Sequence, residues 1–143
     1  MHYTQRERIY VLRIERGEEV IKTITYLCKR EGVANAFFRG IGAVEGLTCG
    51  YYALTEKEYH FTHYAEMVEV ASLTGNITLK EGEPFVHAHG IFTNTKNEAF
   101  GGHIKEMVSG IVVEVVLEVL DSDIERMHDD ATGLFLMRCE NEF

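Results

Sequence analysis

The hydrophobic and polar positions along the chain change period once near the N-terminus, and the change separates two elements. Ile9–Glu15 has a period of two, with Ile9, Val11 and Arg13 on one face and Tyr10, Leu12 and Ile14 on the other. That spacing predicts a strand, ended by Gly17. From Glu18 the spacing becomes three and four, so that Val20, Ile21, Ile24, Leu27 and Cys28 form one face of an amphipathic helix. Glu18 and Glu19 suit the positive end of its dipole, Lys29 and Arg30 suit the negative end, and Gly32 can cap it.

Strands account for the rest of the pattern. Residues 34–38 lead into a glycine-rich bend over 39–46, and residues 47–54, 58–64 and 67–79 read as strands, the last bent near Gly75. Turns at 80–84 and 94–97 bracket a strand at 85–93, and the return strand at 99–104 passes through Gly101-Gly102. In 111–120 the odd positions (Ile111, Val113, Val115, Leu117, Val119) are all apolar, whereas the even ones include Glu114 and Glu118. Residues 134–139 close the series. One helix among about eight strands with short polar turns predicts an α+β fold, a mostly antiparallel sheet with one principal helix packed on it. A single helix cannot cover so much sheet. Apolar surface should stay exposed, and self-association is the usual remedy.

Composition narrows the partners. The chain has 143 residues, one proline and no Pro-, Ser- or Gly-rich linker, which predicts a single domain over 1–143. Apolar residues at 45% and charged residues at 26% are the proportions of a globular chain, not a disordered one. Fourteen Lys and Arg against 23 Asp and Glu give a net charge of −9. The basic residues are scattered, with Arg6/Arg8 and Lys29/Arg30 as the small clusters, so DNA binding by this chain alone is disfavoured for want of a basic stripe. No run of about 18 apolar residues offers a membrane span, and the first residues lack the apolar core of a signal peptide. The expectation is a cytoplasmic protein with no membrane association. Cys28, Cys49 and Cys139 are odd in number, far apart and outside any C-x-x-C, and read as buried thiols.

The histidines carry the chemistry. His87-Ala88-His89 lies in a strand, where a period of two puts both imidazoles on one face. His103 follows after a turn and a return strand of matching length, which would bring it beside the pair. Three neutral imidazoles can hold Zn²⁺ or another divalent ion and leave one coordination position open. The plainer reading of an H-x-H is a pair of solvated surface rings, and the glycine-flanked third histidine is what favours a metal. His60 and His63, three apart on a strand, fall on opposite faces and read as surface residues. Glu69 or Glu114 would be the proton-moving carboxylate if the centre were catalytic. No Gly-x-Ser-x-Gly, phosphate-binding loop or His-Glu-x-x-His is present, and Cys49 has no basic neighbour to activate it.

Several segments together resemble a known family. They are the opening strand and helix (11–28), Phe38-Arg39-Gly40-Ile41-Gly42-Ala43-Val44, Glu69 to Ile77, Gly82-Glu83-Pro84-Phe85-Val86-His87-Ala88-His89 and Gly101-Gly102-His103. In this order they resemble the PPC domain, conserved between plants and prokaryotes, whose stand-alone prokaryotic members are generally labelled candidate DNA-binding proteins. The resemblance runs from about Ile9 to Cys139. It implies a homotrimer with a metal, zinc in the first instance, on His87, His89 and His103. In plants the domain follows an Arg-Gly-Arg arm and carries Gly-Arg-Phe-Glu-Ile-Leu for partner binding. This chain has no Arg-Gly-Arg, and the second segment reads Glu66-Met67-Val68-Glu69-Val70-Ala71. A cupin metal site, the other home of an H-x-H, would want a glutamate where Thr93 and Asn94 stand. The expected function is recognition of a small ligand or partner protein by a metal-binding homotrimer. A metal-dependent enzyme and a DNA-associated regulator are the alternatives.

Overall fold

The computed structural model describes residues 1–139. Strands β1 (His2–Arg6) and β2 (Ile9–Glu15) precede helix α1 (Val20–Glu31). They are followed by β3 (Ala36–Ala53), β4 (Glu58–Tyr64), β5 (Val68–Lys80), β6 (Glu83–Thr93), β7 (Ala99–Val119), β8 (Glu125–Asp129) and β9 (Leu134–Met137). The α+β class expected from the pattern is the class observed. The helix starts where the acidic pair stands, and the two glutamates divide the work. Glu19 is the N-cap, its carboxylate accepting from the amides of Ile21 (3.3 Å) and Lys22 (2.6 Å). Glu18 instead takes the Met1 amino group and the Glu15 amide. Gly32 ends the helix in the left-handed conformation at φ 67°, donating its amide to the Cys28 carbonyl.

Nine strands form one sheet in which every pairing is antiparallel except a two-residue parallel contact between β5 and β8. β3 pairs with β5, β5 with β6, β6 with β7 and β7 again with β3, so these four strands close a ring of pairings, while β2 and β1 extend outward from β7. The glycine-rich stretch at 39–46 proves to be the middle of one long strand. The bend expected there is a register shift between Gly40 and Gly42, and the strand continues to Ala53. β7 likewise unites the two segments expected at 99–104 and 111–120. In β5 the irregularity falls between Val70 and Ser72, not at Gly75.

The inner sheet face and α1 make the core. Leu12 and Ile14 of β2, Phe38 of β3, Leu73 and Ile77 of β5, and Val113, Val115 and Leu117 of β7 pack with Val20, Ile24, Leu27 and Cys28 of the helix. Burying such a side chain contributes about 1.5–3 kcal/mol. The outer face is open. Ile9, Val11, Phe37, Ile41 and Val116 are exposed, from 37% at Val116 to 58% at Ile41. Directly paired residues share a face, so one row can be followed across the sheet: Val11 opposes Val116, Val116 opposes Arg39, Arg39 opposes Thr74, Thr74 opposes His89 and His89 opposes His103.

The expectation of three buried thiols needs correction. Cys28 and Cys49 are buried, and burial pushes the Cys28 thiol up to about 12, but Cys139 follows the last strand and is exposed. Among the described residues no helix is long and apolar enough to cross a membrane.

Candidate metal centre

The centre is built by a hairpin. β6 carries His87 and His89, and the turn to β7 is fastened by Asn94, whose Oδ1 accepts from the amides of Lys96 (2.9 Å) and Glu98 (3.0 Å). That turn sets the register which puts His103 directly opposite His89. Gly102 lets β7 lie close against β3 at this point: its φ is +156°, and a Cβ there would strike the carbonyl oxygen of Gly50.

The three rings converge. Their centroids form a nearly equilateral triangle with sides of 5.1, 5.1 and 5.3 Å. One ring nitrogen from each histidine lies within 4.8 Å of the others. The Nε2 atoms of His87 and His89 are 3.2 Å apart. Two nitrogens on a tetrahedral zinc, at about 2.0–2.1 Å from it, would stand about 3.3–3.4 Å apart. His103 Nδ1 is buried and has no hydrogen-bond partner, the condition of a donor set arranged for something other than its neighbours. Burial lowers the His87 pKa to about 4, helped by the Arg126 guanidinium and by His89. Burial likewise lowers that of His103 to about 4, with His87, His89 and Arg126 adding to it. Both rings are therefore neutral at pH 7, with lone pairs free for a metal. The residues present fit a divalent ion.

Two walls enclose the triangle. On one side Tyr59 of β4 stacks on His103 at 4.6 Å between centroids, backed by Phe61 at 5.2 Å. On the other, Arg126 of β8 reaches along the sheet. Its Nε donates to Thr78 Oγ1 (2.8 Å), its Nη1 to the Phe135 carbonyl (3.0 Å) and its Nη2 to Asn76 Oδ1 (2.8 Å). The same Nη2 lies 3.4 Å from His87 Nδ1. Arg126 was not among the residues expected at the site. Its strand touches β5 at only two register positions, Leu79–Glu125 and Lys80–Arg126, and no local pattern announces such a contact.

The other candidates lie elsewhere. His60 and His63 are exposed as expected, His60 pairing with Glu56 (2.6 Å) and His63 with the Thr48 hydroxyl (3.0 Å). Neither Glu69 nor Glu114 joins the three imidazoles. Glu69 is paired with Ala43 and Thr93, and Glu114 with Arg13 and Ile41. Glu114 belongs instead to a cleft of about 780 Å³ on the open sheet face, shared with His2, Arg13, Arg39 and Ile41. The hollows that include His89 are smaller, about 450 and 210 Å³.

No curated protein matches the chain. Among solved structures it is similar to a plant- and prokaryote-conserved (PPC) protein from Pyrococcus horikoshii, with 36% identity, 99% of this chain and 97% of that one covered, and a TM-score of 0.89. A metal-containing protein from Archaeoglobus fulgidus is 30% identical over 96% of this chain and 99% of its own, with a TM-score of 0.87. A protein from Bacteroides thetaiotaomicron, labelled a candidate DNA-binding protein, is 26% identical over 98% of both chains, with a TM-score of 0.94. Residues 1–121 match the Plants and Prokaryotes Conserved (PCC) domain, a span that takes in all three histidines and ends before β8. On that match the chain belongs to the Plants and Prokaryotes Conserved domain family.

Proposed function

We propose that the chain is a divalent-metal-binding protein, with zinc the first choice, in which His87, His89 and His103 hold the ion and a small ligand or partner protein is recognised at the remaining coordination position. The observation that carries this reading is the meeting of three imidazoles, two of whose Nε2 atoms stand 3.2 Å apart, close to the spacing a tetrahedral zinc needs. The Archaeoglobus relative, described as metal-containing, supports it. When bound, the ion would supply a Lewis-acidic centre with one position for an incoming group.

Binding is favoured over catalysis because no carboxylate joins the three imidazoles among the described residues, and a metal hydrolase needs a group beside the metal to move protons. The DNA label of the Bacteroides relative is set against a net charge of −9 and the lack of any Arg-Gly-Arg arm. Assembly as a homotrimer through the open sheet face completes the reading, because five large apolar side chains stand exposed there. Elemental analysis of purified protein tests the core of the proposal: about one zinc or similar ion per chain is expected, and a protein that neither retains nor takes up a divalent ion overturns it.

A further inference from the structure

The metal reading leaves open what occupies the fourth position, and the surroundings of the histidines bear on it. Their donor set includes no carboxylate and no thiolate. Arg126 reaches it directly, 3.4 Å from His87, and Lys80 and Lys105 lie on aromatic rings of the neighbouring clusters. The Arg126 guanidinium sits 5.0 Å from the centre of the Phe85 ring. Lys80 Nζ lies 3.7 Å from the Phe135 ring centre and 5.7 Å from that of Phe85. Lys105 Nζ stands 5.4 Å from the centre of Phe61, whose ring is 6.3 Å from His103. Arg126 is only 8% exposed, and its acceptors are the hydroxyl of Thr78, the amide oxygen of Asn76 and the carbonyl of Phe135, all neutral. Among the described residues no carboxylate forms an ion pair with it. In a chain of net charge −9, this half-buried corner holds uncompensated positive charge even before a divalent ion arrives.

We infer that the centre binds its metal together with an oxyanion, a small molecule bearing a carboxylate or a phosphate, and that Arg126 supplies the fixed charge that couples the two. The inference rests on the metal reading and deepens it. A buried cation beside a donor set without a carboxylate repels a second cation, and an anion on the metal offsets both charges at once. Coupling of this kind is reciprocal: the anion tightens metal binding by the same factor by which the metal tightens anion binding. Arg126 stands on β8, beyond the residues that match the family domain, so the anion preference is carried by the C-terminal hairpin and not by the three-histidine segment itself.

Cobalt(II) titration of the whole metal-free protein, followed by its visible absorption, tests the inference with the metal alone and then with inorganic phosphate, acetate or neutral imidazole present. For the wild type, phosphate or acetate should tighten cobalt binding about tenfold and shift the spectrum, and imidazole should not tighten it comparably. The stronger of the two anions identifies the ligand class. Arg126→Gln should lose most of the anion effect, read as the ratio of its own cobalt affinities with and without the anion. Arg126→Lys, which keeps the charge without the planar fork, should retain it. An equal response to imidazole and the anions in the wild type, or an undiminished anion effect in Arg126→Gln, overturns the inference and leaves the metal site standing. Failure of the wild type to bind cobalt overturns both.

Discussion

His89 and His103 stand directly opposite each other across the β6–β7 pair, their ring centroids 5.3 Å apart, although His103 lies 14 positions further along the chain. The opposition follows from backbone pairing and the Asn94 turn, so the ring positions are held by the sheet itself. A site built on strand registers is rigid before any ligand arrives, and two of its three members are kept neutral by burial.

His103→Ala should weaken divalent-metal binding about a hundredfold or more, because losing even an outer partner of a metal ligand commonly costs 10–100-fold. His63→Ala, on the same sheet but hydrogen-bonded to Thr48 and outside the triangle, should bind normally. Competition titration against a chelating dye compares the two. Equal affinities would remove His103 from the ligand set.

Stability of the metal-free protein should fall as the pH drops from about 6.5 toward 4. His87 and His103 take up protons near pH 6.5 when the chain is unfolded and only near pH 4 when folded, so between these values the unfolded state binds the extra protons and is favoured. Above about 6.5 their contribution is complete, and below about 4 it no longer changes. Melting temperatures across pH 5–6.5, above the range where most carboxylates titrate, isolate the effect. The double variant His87→Gln/His103→Gln should show a shallower slope there, and an unchanged slope would mean that these rings are not held neutral.

How far this centre could be read from sequence has a physical explanation. A strand's period of two and a four-residue turn convert directly into positions in space, so His87, His89 and His103 could be brought together on paper. β1 was not legible because His2–Arg6 is an edge strand whose exposed, mostly polar residues carry no alternation. β8 escaped for the same reason: Glu125–Asp129 buries only Arg126, a residue that polar-outside reasoning sends to the surface. The long strands β3 and β7 looked like two each because a bulge and a turn share the same glycine-rich signature.

The open sheet face should be an assembly surface. Val11, Val116 and Phe37 are exposed there with Ile41, and a charge placed among them should obstruct association without touching the core. Phe37→Glu and Val116→Glu should each lower the mass seen by light scattering from about three chains toward one. Melting temperatures of the dissociated chains should change little otherwise, since surface substitutions usually lie within about 0.5 kcal/mol of neutral. A wild type that is monomeric at all concentrations would contradict the trimer.

Asn35 should matter to the metal centre without being near it. It is 1% exposed, and its side chain holds the link between β7 and β8. Oδ1 accepts from the Ile124 amide (2.6 Å) and the Ser122 hydroxyl (2.8 Å), while Nδ2 donates to the Ile124 carbonyl (3.1 Å). Asn35→Ala leaves the Ile124 amide without its acceptor, and each buried group so stranded costs about 1–3 kcal/mol. For a chain of this size that is a fall in melting temperature of several degrees. The more telling consequence is local. β8 is joined to β5 at two register positions only, so the Asn35 clasp is much of what holds Arg126 beside His87. Hydrogen exchange should therefore quicken in residues 122–129 of Asn35→Ala well before it does in β6 or α1. Uniform loss of protection would instead assign Asn35 to the global core, and β8 would then be held mainly by Arg126 and its own three acceptors.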